Sequence, residues 1–398
     1  MIALSQVKIS VIMPVYNEES FLRESLESFF AQSIASECEI ICVDDGSQDS
    51  SLEILKEYLF RHKDNMQLLR QANSGSGKAR NYAMEHAKGE FVAFLDADDL
   101  YPSPVVLEHL YDAAMANGVN VAGGSLIIFD EHVENTEFAD VEGFSGHQFL
   151  EAGLRTYDSY QFDYGYQRFI YKLGLLNDSH IRFKDYLRYQ DPPFFVETMI
   201  TAGTFYSLVE PTYRYRASSK PVSWTSRKAC DMIKAITDVG LLAARNDFEA
   251  LFRLNLMRLN QDWRSTLSDL VIAKGDFDVL YALFEAKRAL LGAASNLDLE
   301  QLLDGTPSVF ADVKTSFERS LKYKEKVLEL DNLNKDVECL QKRLADLGNE
   351  CESTRSLANI LQDRIEELTS STTWKTGSAV TWLPRKIKSE ALKRIRSE

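Results

Sequence analysis

The first part of this sequence predicts a doubly wound α/β sheet. Three observations carry that reading. Short, almost wholly apolar runs suit strands covered on both faces. Stretches with apolar residues at helical spacing separate them. Polar punctuation closes each apolar run, and ligands of such sheets bind at the carboxyl ends of the strands.

In order, "KISVIMPVY" (Lys8–Tyr16) is nearly continuous apolar sequence and reads as a buried parallel strand. Phe21, Leu22, Leu26, Phe29 and Phe30 then recur on one helical stripe. "EIICVDD" is a second buried strand, and Ser50 with Glu53 fits a capping box opening a helix that carries Leu52, Leu55 and Leu59. "MQLLR" is a short strand, followed by the glycine-rich "NSGSGKARN" and a helix bearing Ala79, Tyr82, Ala83 and Ala87. The stretch "EFVAFLDADDLY" (Glu90–Tyr101) then ends an apolar run with Asp96, Asp98 and Asp99. The alternation is βαβαβαβ. An Asx-capped turn is the plain explanation of such an acidic cluster. Like charges so close repel, however, unless a cation or firm hydrogen bonds hold them. "PVYNE", "DDGS", "NSGSGKARN" and "DADD" fall at four successive strand ends, which would meet along one edge of the sheet.

Beyond Val119 the texture changes. "VNVAGGSLIIF" reads as a further strand, residues 147–216 are aromatic-rich, and "ASSKPVSWTS" leads into helical sequence through about residue 320. Residues 326–368 hold a heptad seam (Leu330, Leu333, Val337, Leu340, Leu344, Leu347, Cys351, Ala358, Leu361, Ile365, Leu368) interrupted at Thr354, the pattern of a coiled coil that joins copies of the chain. The end of the sequence concentrates Lys375, Arg385, Lys386, Lys388, Lys393, Arg394 and Arg396 with Trp374 and Trp382. A basic, Trp-bearing tail suits an anionic membrane surface, although a solvated tail that keeps a coiled coil soluble has the same composition. The expected organisation is therefore a first domain over 1–225, a helical region over 226–322, a coiled coil over 323–370 and a basic amphipathic tail over 371–398.

Bulk properties narrow the function. The 398 residues are too many for one small domain. A net charge of −15 argues against a general nucleic-acid binder. Five scattered cysteines give no disulfide framework or zinc spacing, and Cys38 and Cys42, flanking a strand, are expected to be buried. The six histidines show no ligand-like spacing and default to solvated or capping roles. No basic leader with a cleavage site and no membrane-spanning run is present, so a reducing, cytosolic location is expected, peripheral to the cytoplasmic face of the membrane if the tail binds there. "GSGK" (Gly75–Lys78) is a false phosphate loop: Ala72 stands where a glycine is required and Ala79 where the magnesium-binding hydroxyl belongs.

Taken together, "VIMPVYNE", "VDDGSQDS", "NSGSGKARN" and "GEFVAFLDADD", in that order, resemble family 2 glycosyltransferases of the GT-A fold, a Rossmann-like, mostly parallel sheet flanked by helices. The resemblance extends to "RFKDYLRYQDPPFF" and "YRYR" and covers about residues 7–216. It implies an inverting, bacterial surface-polysaccharide type of enzyme that takes a UDP-sugar donor and a glycan or lipid-linked acceptor, as in capsule or O-antigen synthesis. The same match assigns nucleotide-sugar contacts to Pro14, Tyr16, Glu18, Asp44, Asp45, Lys78, Arg80, Asp96, Ala97 and Asp98. Tyr16 would stack on the base and Asp44 would accept the uracil imide N–H. Asp96-Ala97-Asp98 is the DxD motif, with Asp98 as direct ligand of Mn²⁺ or Mg²⁺ and Asp96 nearer the ribose or a metal-bound water. On the same match Asp191 would be the catalytic base.

Two departures stand out. Gln190 precedes the expected base where an acid is usual in the family, and no histidine follows His180 to meet the metal; Lys220 and Arg227 would instead meet the diphosphate. Asp191 also suits an N-cap with Pro192 after it. Two other readings are a sugar-nucleotide nucleotidyltransferase, which would open with a glycine-rich basic loop where this chain has "PVYNEES", and an inactive coiled-coil scaffold, which would be free to lose the acids.

Overall fold

The computed structural model describes residues 7–129, 148–217 and 223–293, together with Asp312, Asp363, Arg364 and Glu366. The heptad seam, the basic tail and Lys220 therefore lie outside the described residues, those few positions apart. The chain divides into two compact units, Met1–Asn255 and Leu256–Glu398.

The first unit opens as the periodicity requires: β1 (Ile9–Val15), α1 (Leu22–Phe30), β2 (Glu39–Asp44), α2 (Ser51–Arg61), β3 (Met66–Arg70), α3 (Ser76–Met84) and β4 (Phe91–Phe94). Every residue of β1, β2 and β4 is buried, which is why those runs are so continuously apolar. β3 is an edge strand and correspondingly more polar. Then follow α4 (Val106–Asn117), β5 (Val121–Phe129), β6 (Gly153–Thr156), α5 (Tyr157–Tyr160), β7 (Phe169–Lys172), α6 (Leu173–Asp178), α7 (Asp191–Ala202), β8 (Thr204–Arg216), α8 (Ser226–Arg245) and α9 (Glu249–Met257), in which the division falls.

All eight strands form one sheet in the order β3-β2-β1-β4-β7-β5-β8-β6. β3, β2, β1 and β4 run parallel, so their carboxyl ends share one edge. Beyond β4 the sheet is mixed: β7 is antiparallel to both β4 and β5, β5 is parallel to β8, and β6 is antiparallel to β8. Gly123 in β5 is required by close approach, because a Cβ there would sit 2.0 Å from the Phe169 ring. The core joins the inner faces of β1, β2 and β4 to Leu22, Leu26 and Phe29 of α1 and Leu107 and Leu110 of α4.

Two local expectations are corrected. Ser50 stands at the N-cap of α2, but its side chain makes no capping bond. Acids from the neighbouring loop satisfy the first-turn donors instead: Glu19 Oε2 accepts the Ser50 N–H and Asp49 Oδ1 accepts that of Ser51, both at 2.9 Å. Gln190, not Asp191, occupies the N-cap of α7, and Asp191 is its first helical residue. Cys38 and Cys42 are buried as expected, and burial pushes the Cys38 thiol up to about 12.

In the second unit, α10 (Arg264–Ser268) lies between two π-helical turns and α11 (Phe277–Ala293) follows. Among the described residues no helix is long and apolar enough to cross a membrane.

Candidate active site

The four strand-end segments are tied into one continuous edge. After β1, the Asn17 Oδ1 accepts the Gln48 N–H at 2.7 Å, and the Asn17 N–H reaches Ser47 Oγ at 3.2 Å. After β2, the buried Asp45 carboxylate organises the loop beyond β3: Oδ1 accepts from Gln71 Nε2 (2.7 Å) and Ser74 N–H (2.8 Å), and Oδ2 from Gly75 N–H (2.8 Å). Gly75, at φ +92°, makes the turn that opens α3. One turn into α3, Arg80 Nη2 meets Asp96 Oδ1 at the end of β4 at 2.5 Å.

Arg80 is 4% exposed, and its guanidinium faces the rings of Tyr166 and Phe183 at 5.4 and 5.3 Å. Its Nε and Nη1 have no hydrogen-bond partner among the described residues. Burial presses it toward neutrality, but Asp96 outweighs that and holds it charged.

The acidic turn itself divides its work. Asp96 also accepts from Gln167 Nε2 at 3.2 Å. Asp99 has no exposed surface and serves the fold: Oδ2 accepts the Tyr213 hydroxyl and Oδ1 the Arg216 N–H, both at 2.7 Å. Tyr213 Oη in turn accepts the Asp96 N–H at 3.1 Å. Asp98 remains partly exposed, and its carbonyl accepts from Arg216 Nε at 2.7 Å. Burial, then Asp98 and Asp96, push the Asp99 carboxyl well above the usual carboxylate range. Among the described residues no group of three or more His, Cys, Asp and Glu forms a ready-made metal cage. The donors at this turn are nevertheless all hard oxygens, and the mutual repulsion around Asp99 is the kind a cation relieves.

Asp191 belongs to the same neighbourhood. Burial pushes its carboxyl up to about 6, Arg80 opposes that shift, Asp96 adds to it and Arg188 opposes it. A carboxylate with that proton affinity is ionised at neutral pH yet able to take a proton.

Tyr16 presents its ring at the end of β1, 42% exposed, while Pro14 and Ala97 are buried beneath the edge. Glu18 starts the loop before α1, its N–H on Ser51 Oγ at 2.9 Å. Asp44 is wholly buried, accepting from Ser47 N–H (3.0 Å) and from Arg70 Nε (3.2 Å), whose side chain is 60% exposed. Lys78 pairs with Asp185 at 2.9 Å on the surface. Arg227 is 69% exposed, 4.0 Å from Asp231.

Sequence reasoning gave no role to Gln167, Arg188, Tyr213 or Arg216. An arginine closing a strand, as Arg216 does, signals a buried anionic partner far away in sequence. No such signal marks Arg188, whose Nε is buried without a hydrogen-bond partner among the described residues while its guanidinium faces Trp224 at 5.9 Å.

A four-stranded parallel half-sheet carrying an acidic turn, extended by a mixed half that delivers Asp191, defines the GT-A class of α/β folds. The chain matches a family model described as Glycosyl transferase family 2 over residues 10–175. It is 41% identical over 122 residues to the poly(ribitol-phosphate) beta-glucosyltransferase of Bacillus spizizenii, covering 30% of this chain and 19% of the relative. It is 29% identical over 280 residues to the poly(ribitol-phosphate) beta-N-acetylglucosaminyltransferase TarS of Staphylococcus aureus, covering 67% of this chain and 43% of the relative. The chain spans less than two thirds of the length of the curated relatives it matches, 64% at most among the first three. The crystal structure of S. aureus TarS 1–349 shares the fold with a TM-score of 0.55 at 22% identity, over 74% of this chain and 82% of that chain. TarS 1–349 in complex with UDP-GlcNAc gives 0.51 at 21% identity, over 75% and 98%.

Proposed function

We propose that the chain is an inverting glycosyltransferase that moves a sugar from a UDP-sugar to a hydroxyl of a surface-polymer acceptor, with Mn²⁺ or Mg²⁺ bound at the acidic turn. The observation that carries this reading is convergence. One buried arginine, Arg80, pairs with Asp96 and lowers the proton affinity of Asp191, so the acidic turn and the candidate base share one electrostatic environment.

On this reading the exposed Tyr16 ring stacks on the uracil. Asp44 accepts the imide N–H once the solvent-exposed Arg70 swings aside, a cheap motion for a long surface side chain. The Nε and Nη1 of Arg80, without a hydrogen-bond partner among the described residues, offer donors to an anionic group of the nucleotide. Asp98, with Asp96, would hold the divalent ion, which when bound supplies charge stabilisation to the departing diphosphate. Asp191 takes the proton of the acceptor hydroxyl as that oxygen attacks the face opposite the leaving group, which inverts the anomeric centre. Relatives named for poly(ribitol-phosphate) support a polyol-phosphate acceptor and a glucose or N-acetylglucosamine donor.

The 1–225, 226–322, 323–370 and 371–398 organisation belongs to the same proposal. The heptad seam over 326–368 would join copies, and the basic tail would hold the enzyme to the cytoplasmic face of the membrane. Apart from Asp363, Arg364 and Glu366, both lie outside the described residues.

The test is UDP release from a panel of UDP-sugars with Mn²⁺, with poly(ribitol phosphate) as the acceptor probe. Turnover that disappears on chelation and in Asp98→Ala supports the reading. No turnover of any UDP-sugar, or turnover indifferent to both changes, contradicts it.

A further inference from the structure

α3 and the strap of residues 183–190 that leads into α7 are stitched together at three levels. Asn81 pairs both ways with Phe183: Nδ2 donates to the Phe183 carbonyl at 2.8 Å, and Oδ1 accepts the Phe183 N–H at 2.9 Å. Lys78 Nζ lies 2.9 Å from Asp185 Oδ2. Nearest the helix start, Gln190 Nε2 donates to Ser76 Oγ at 2.9 Å. Gly77 allows this closeness, because a Cβ there would meet Gln190 Cγ at 3.1 Å and the Lys184 carbonyl oxygen at 3.2 Å. The strap turns at Tyr189, whose φ of +64° is rare for a side-chain-bearing residue and whose hydroxyl meets that of Tyr164 at 2.9 Å.

These contacts explain the glycine-rich "GSGKARN" without a phosphate. Its glycine makes room for the strap, while its serine, lysine and asparagine hold the strap in place. Arg80 rides on the same helix, so the stitching fixes the base-bearing end of α7 relative to the arginine that pairs with Asp96.

We propose that Gln190 is a positioning residue: its amide clamps the start of α7 to Ser76 on α3 and thereby sets Asp191 against Arg80. The proposal rests on the reading of Asp191 as the base. An amide provides the clamp without adding charge. A carboxylate at 190 would still accept the Ser76 hydroxyl, yet would place a second negative charge beside Asp191. The charged groups already facing Asp191 are Arg80 from α3, Asp96 from the end of β4 and Arg188 from the strap, with the phenols of Tyr166 and Tyr171 alongside.

The experiment compares the full-length wild type with Gln190→Ala, Ser76→Ala, the double variant and Gln190→Glu. UDP-GlcNAc and UDP-glucose are the donor probes, and UDP affinity is measured separately. Each alanine variant should lose about ten- to a hundredfold in kcat, the penalty of a base displaced by roughly an ångström. UDP affinity should change by no more than about twofold, and the double variant should lose no more than a single one, as expected of two halves of one contact. Gln190→Glu should keep kcat at high pH but move the acid limb of the profile upward. The clamp is refuted if Gln190→Ala keeps kcat within about twofold, if the loss lies in UDP affinity alone, or if the two losses multiply. If the wild type turns over no UDP-sugar, the transferase reading falls, and the clamp is judged from the pH dependence of unfolding. There Gln190→Glu must raise the Asp191 titration, an effect absent in an Asp191→Asn background; an unmoved titration overturns it.

Discussion

Arg80 on α3 and Asp96 at the end of β4 form an ion pair of 2.5 Å, with side chains only 5% and 22% exposed. The same guanidinium opposes the upward shift of the Asp191 carboxyl. One cation thus compensates acids that stand nearly a hundred residues apart in sequence.

Arg80→Met should strand Asp96 in a largely buried setting, and breaking such a pair costs about 3 kcal/mol or more. Chemical denaturation followed by a probe in the first unit measures the loss. A variant as stable as the wild type would show that the pair contributes nothing.

With its carboxyl at about 6, Asp191 is ionised above that pH and protonated below it. A protonated base cannot accept the acceptor's proton, so kcat/KM should fall about tenfold per pH unit on the acid side of pH 6 and level off above it. A flat profile between pH 5 and 7 would count against Asp191 as the base.

The same shift has a stability consequence of fixed sign. A carboxyl raised from 3.8 to about 6 in the folded state binds its proton more tightly there than in the unfolded chain. Its contribution therefore favours folding at low pH and is lost as pH rises through about 4 to 6. Asp191→Asn should accordingly stabilise the protein by about 1–3 kcal/mol at pH 7, with the gain vanishing near pH 4. Unfolding measured at the two pH values decides it; a destabilised variant at pH 7 would contradict the sign.

Much of this was legible in the sequence. The seven-element alternation and its strand-end punctuation follow from apolar runs of strand length, because strands covered on both faces admit few polar residues. The mixed half was not legible. Whether β7 runs antiparallel between β4 and β5 is decided by pairings across tens of residues, which leave no periodic signature. For the same reason the sequence does not reveal that the Asp45 carboxylate accepts from the backbone N–H groups of Ser74 and Gly75. Asp99, one more acid in a cluster, proves to be the buried partner of Tyr213 and Arg216, residues more than a hundred positions downstream.

Asp45→Ala removes the acceptor for two backbone N–H groups and the Gln71 amide. Groups of this kind left unpaired cost about 1–3 kcal/mol. The loop that opens α3 should loosen, so UDP affinity should weaken along with stability. Thermal melting and UDP titration check both; a change in neither would mean the loop is held by other contacts.

The central claim is that Asp191 acts on the acceptor and not on the donor. The most direct test is sugar transfer from a UDP-sugar, measured beside UDP binding, for wild type and Asp191→Asn. The account predicts transfer reduced by at least about a thousandfold with UDP affinity within about twofold of wild type, since the amide preserves size but takes no proton. Transfer surviving in Asp191→Asn, or a loss accounted for by weaker UDP binding, would contradict it.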